Sequence, residues 1–141
     1  MSAWRRKAET LLPELHADFA DDEPLTPHLA FFAVLPFVRD AHVRGDDDAL
    51  RRAYALAQWC FHQRSGSDLA NAVAVSFYEH LFDDWRLRKE VVGWLEPQVV
   101  EAVLPLWEQR LAPAQLTELR RLLERPSADH WRGLRAIAES A

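Results

Sequence analysis

The chain has 141 residues, 49% hydrophobic and 28% charged, with four Gly, eight Pro and one cysteine. These globular proportions exclude a disordered chain, and the longest apolar run, ten residues from Leu29 to Val38 with a proline inside, falls short of the ~20 that a membrane span needs. Seventeen basic against 22 acidic groups give a net charge of −5, and with 8 and 11 in residues 1–70 and 9 and 11 in residues 71–141, neither half is a basic platform for nucleic acid.

Helical periodicity runs through nearly every segment. Trp4, Ala8, Leu11, Leu12, Leu15 and Phe19 form one stripe, which Pro13 should kink or split into two short helices. Asp18, Asp21, Asp22 and Glu23 then lead to Pro24 and are expected in a loop. Thr26-Pro27 is a start signal, a capping hydroxyl with proline in the first turn, for a second helix reaching about Val43 and stopping at Gly45. Asp46, Asp47 and Asp48 open a third, whose negative charges suit the free amides and the helix dipole; its stripe is Leu50, Ala53, Tyr54, Ala57, Cys60 and Phe61. After Ser65-Gly66-Ser67 a fourth helix, Asp68 to Phe82, is apolar almost all round and is expected to be central.

A short fifth helix spans Asp84 to Leu95. Glu96-Pro97 begins a sixth with Val99, Val100, Val103, Leu104, Trp107 and Leu111 on one face, Pro113 a seventh, and Trp131, Leu134, Ile137 and Ala138 lie on a last one. No segment alternates with period two. The expectation is an all-α single domain over residues 1–141, a bundle or short right-handed superhelix of about eight helices.

Catalytic signals are sparse. No two of the six histidines are three or four residues apart, the spacing that aims two imidazoles at one metal from a helix. Glu79 and His80 are the least implausible polar pair, but as neighbours on a helix they should splay. Cys60, in an apolar stripe with no cation beside it, reads as a core thiol. It can form neither an internal disulfide nor a multi-thiolate zinc site. The four isolated glycines offer no phosphate loop. No catalytic, metal or cofactor site is therefore expected. Neither is a secretory signal, since Met-Ser-Ala-Trp-Arg-Arg-Lys runs into acids and proline before an apolar region develops, and a cytoplasmic protein is expected. Most aromatics, including Trp4, Phe32, Phe77, Trp107 and Trp131, fall on core stripes. Trp85, in Asp83-Asp84-Trp85-Arg86-Leu87-Arg88-Lys89, is either an interface anchor or a ring folded over a helix end.

The segment Asn71-Ala72-Val73-Ala74-Val75-Ser76-Phe77-Tyr78-Glu79-His80-Leu81 resembles the central helix of an uncharacterised family of small all-helical bacterial proteins. Gly45-Asp46, Trp94-Leu95-Glu96-Pro97 and Trp107-Glu108-Gln109-Arg110-Leu111 extend the resemblance over residues 27 to 111. Tyr78 stands where that pattern has Leu. The resemblance implies an immunity-protein-like role, the neutralising of a toxin. An inhibitor needs a rigid scaffold and, against a basic target, an acidic surface. Candidate contacts are Asp18, Asp21, Asp22, Glu23, Asp46, Asp47, Asp48 and Trp85. The expectation is a non-catalytic binding protein with a protein partner and neither nucleic acid nor membrane. The alternatives are a helical scaffold or adaptor, which could be homodimeric, and, third, a small helical enzyme.

Overall fold

A computed structural model describes residues 2–21, 24–63 and 67–141. Among these the chain is all-helical, with nine α-helices and no strand: α1 (Ala3–Leu11), α2 (His16–Asp21), α3 (Pro27–Arg44), α4 (Asp47–Phe61), α5 (Asp68–Ser76), α6 (Arg88–Val92), α7 (Pro97–Arg110), α8 (Pro113–Glu124) and α9 (Leu134–Glu139). Short 3-10 turns join several of them. Pro13 divides the opening stripe as its missing N–H requires, with a 3-10 turn over Pro13–Leu15 between α1 and α2. Asp18 and Asp21 stand on α2 rather than in a loop, while Asp22, Glu23, Ser65 and Gly66 lie outside the described residues.

The termini of α3 and α4 follow from local chemistry. Thr26 Oγ1 accepts from the Leu29 N–H at 3.2 Å, with Pro27 in the first turn. Gly45, at φ +68°, takes the left-handed conformation that ends α3. Asp46 Oδ1 then accepts from the Ala49 N–H at 3.1 Å to open α4. That tight hairpin sets α4 against α3, and α1, α5 and α9 also pack on α4.

The central helix is α4, not the fourth element read from the sequence. Nine of its residues are buried, among them Leu50, Ala53, Tyr54, Leu56, Ala57 and Cys60. The stretch 68–82 is not one helix. It leaves helical geometry at Phe77 (φ −124°, ψ −72°) and continues as a 3-10 turn over Tyr78–His80. Phe77, Tyr78, Leu81 and Phe82 all enter the core across this break. Tertiary donors serve the carbonyls there: Trp107 Nε1 donates to the Tyr78 carbonyl at 2.9 Å and Arg39 Nη2 to that of His80 at 2.9 Å. Because α5 then lies at the surface, Asn71 and Val75 are exposed, and the buried polar residue is Ser76, bonded to His28 Nδ1 at 2.5 Å. Phe32 is 53% exposed, contrary to its expected place in the core.

The segment 84–95 splits into a 3-10 turn (Trp85–Leu87) and α6, which ends at Gly93. A Cβ at Gly93 would meet the Ala128 carbonyl at 2.9 Å, so glycine there permits the C-terminal segment to pack closely. His130 stacks on Trp94 with centroids 4.5 Å apart, Trp94 stacks on Tyr54 at 5.2 Å, and Leu134 and Ala138 are buried. The C-terminal helices thus share the one core. Among the described residues, no helix is long and apolar enough to cross a membrane.

Candidate functional site

A cavity of about 470 Å³ opens between the end of α4, the start of α7 and the C-terminal segment. His62 caps α4, its N–H bonded to the Gln58 carbonyl at 3.1 Å. Glu96 holds the equivalent place at the head of α7, where its carbonyl accepts from Val100 N at 3.1 Å. Its carboxylate makes no capping bond and instead accepts through Oε1 a hydrogen bond from His62 Nε2. Glu96 is only 6% exposed and Gln58 7%. Among the described residues no group bonds Glu96 Oε2 or the Gln58 side-chain amide, and both residues line the cavity.

Aromatic walls come from Trp59 and Trp131. Each already carries a cation of the chain's own, Lys7 Nζ at 5.1 Å from the Trp59 ring centre and the Arg132 guanidinium at 4.6 Å from that of Trp131. Lys7 also donates to the Ala138 carbonyl at 2.7 Å, tying α1 to α9. Arg132 and Arg135 stand at the rim, paired with Asp129 at 3.3 Å and Glu139 at 2.8 Å. The site therefore has a carboxylate held by His62 at its floor and a rim of solvated, paired cations.

A second cavity of about 300 Å³ is bordered by His42, Asp47, Glu90 and His130. His42 Nε2 and the Tyr54 hydroxyl share a 2.8 Å hydrogen bond. Burial disfavours the imidazolium and pushes His42 down to about 4, partly opposed by Glu90 and Asp47, so the ring is neutral near pH 7. Burial likewise raises Tyr54 and keeps its hydroxyl protonated. Cys60, fully buried, is pushed up to about 12.

None of the sequence-derived contact candidates that the structure describes lines the larger cavity. Asp18, Asp21 and Asp47 are exposed, with no ion pair among the described residues. Asp46 caps α4 and lies 3.6 Å from Arg44. Asp48 pairs with Arg52 at 3.1 Å; Arg52 also holds Glu14 at 2.7 Å and the Leu11 carbonyl at 2.8 Å, which lowers the Glu14 carboxyl. Trp85 is half-buried, with the Arg88 guanidinium 5.0 Å from its ring centre and Arg88 Nη2 donating to Glu118 Oε1 at 3.1 Å. Glu79 and His80 converge rather than splay, Oε2 to Nε2 at 3.4 Å, because they sit on the 3-10 turn. His80 Nδ1 reaches Asp83 at 2.8 Å, and Arg110 closes on the same carboxylate at 2.8 Å. Among the described residues no three His, Cys, Asp or Glu side chains form a group that could hold a metal.

The sequence reading missed Gln58, His62, Glu96 and Arg132. The one usable signal in the sequence is Glu96-Pro97, which reads as a helix start. A family model described as Domain of unknown function (DUF7674) matches residues 6–112. No curated protein and no solved structure matches the chain. The 470 Å³ groove thus combines side chains from within the matched region with Trp131, Arg132 and Arg135 from beyond it.

Proposed function

We propose that this chain, which belongs to the DUF7674 family, is a non-catalytic cytoplasmic binding protein that neutralises a basic protein toxin by covering it. The supporting observation is how its charges are used. Arg52, Arg88 and Arg110 tie separate segments together through Glu14, Glu118 and Asp83, while Arg44, Arg132 and Arg135 sit in local pairs. Asp18, Asp21 and Asp47 stand exposed and outside such pairs among the described residues. With a net charge of −5, the field offered to a partner is acidic, and such a field speeds the capture of a basic protein more than it tightens the final complex. The test is growth of cells expressing each basic protein encoded beside this gene, with and without the chain. Restored growth together with a stable complex is expected; no rescue and no complex contradict the reading.

A self-associating scaffold is the second reading. It is favoured by Phe32 at 53% exposure, with Leu29 one turn earlier on the same face of α3 and Val75 next to the Ser76–His28 bond, both 36% exposed. Light scattering over a concentration series separates the two. A dimer lost on Phe32→Glu supports the scaffold, and a monomer throughout removes it.

A further inference from the structure

We propose that the groove between α4, α7 and α9 is an anchor pocket for a guanidinium side chain of the basic partner. This rests on the reading that the partner is a basic protein, and it names the contact that would fix such a partner in place. Glu96 is 94% buried by its 6% exposure, yet its Oε2 accepts no hydrogen bond from a described residue. That oxygen faces the solvent of the groove with no donor among the described residues, and a charged N–H donor is its strongest complement. Gln58 lines the same groove, and its amide, without a partner among the described residues, offers a neutral acceptor there.

The walls favour the same ligand. A planar guanidinium stacks on indole faces, and the chain's own Arg132 already does so on Trp131. The rim arginines do not reverse this preference. Arg132 and Arg135 have side chains 69% and 87% exposed and each is paired with a carboxylate, so water screens them, whereas the Glu96 side chain is 8% exposed and is screened less. A single arginine inserted into an enclosed pocket with aromatic walls is the usual form of a dominant interface contact.

The probe is Nα-acetyl-arginine amide, titrated into the full chain while the indole N–H signals of Trp59 and Trp131 are followed by NMR, with the citrulline analogue as uncharged control. The arginine probe should move both signals and saturate, and citrulline should bind about tenfold more weakly or worse, as expected for loss of a charge-assisted bond. Glu96→Gln should weaken the arginine probe about tenfold, and Arg132→Gln, at an exposed position, should strengthen it several-fold by removing a competing cation. Equal binding of citrulline, indifference to Glu96→Gln in a folded variant, or weakening by Arg132→Gln would overturn the proposal; the last would mark the rim as an anion site. Growth rescue that persists while the probe fails would remove the anchor alone. Probe binding without rescue would leave the pocket and remove the toxin reading.

Discussion

Phe77 sits where the chain leaves α5, fully buried, with its ring 5.7 Å from Phe31, 5.8 Å from Tyr54 and 5.2 Å from Tyr78. Phe77→Ala removes the largest group at that junction. A buried Phe→Ala change costs about 3–5 kcal/mol through lost transfer energy and an unfilled cavity. Three tilted or edge-on ring contacts, each worth about 0.5–1.5 kcal/mol beyond area, put the expected loss in the upper half of that range. Against a total stability of about 5–15 kcal/mol, that is roughly a quarter of the total or more. In urea, with a slope of about 2 kcal/mol per M, the midpoint should fall by roughly 2 M when unfolding is followed by circular dichroism. Phe77→Leu, which keeps most of the volume, should lose much less. A loss under about 1 kcal/mol for Phe77→Ala would mean that the ring is not part of the core.

Two further outcomes follow from burial. His42 is held near 4 in the fold against an ordinary 6.5, so the unfolded chain binds the extra proton first. Its contribution is complete above pH 6.5 and is lost as the pH falls towards 4, about 3 kcal/mol in all; urea midpoints of wild type and His42→Gln compared at pH 7 and pH 4.5 should show the acid-induced loss mainly in wild type, and parallel losses would refute it. Leu134, 1% exposed on α9 beyond the family-matched region, should cost about 2–5 kcal/mol on change to Ala by the same assay. A loss near zero would mean that α9 is an appendage of the core.

Local chemistry made parts of this fold legible. Thr26-Pro27, Gly45 and Asp46 mark the ends of α3 and α4 because capping bonds and the left-handed turn are decided within a few residues. The break at Phe77 was not legible, since the apolar pattern over 68–82 fits a helix equally well. Its cause lies in distant partners, Trp107 and Arg39, that serve the carbonyls there. The centrality of α4 was hidden for a related reason: its buried residues include Ala49, Ala55 and Gln58, which broaden the buried face beyond the stripe of large side chains. The groove was illegible as well. His62, Glu96 and Trp131 come from three separate segments and meet only when α4, α7 and α9 are packed. Periodicity sees faces of single helices, and it cannot see a carboxylate that turns from its own helix end to a histidine on another.

The acidic-capture reading is tested most directly by the association rate of the chain with a basic protein partner recovered by pull-down, across a salt series, for wild type and for Asp18→Lys, Asp21→Lys, Asp47→Lys combined. Asp47→Asn serves as the control for its place in the first turn of α4. The wild-type rate should fall as salt shortens the screening length to about 8 Å and below. The triple reversal should slow association at low salt by about tenfold or more, with an unchanged melting temperature, and the two rates should converge at high salt. Rates indifferent to both salt and reversal would contradict capture by the acidic surface.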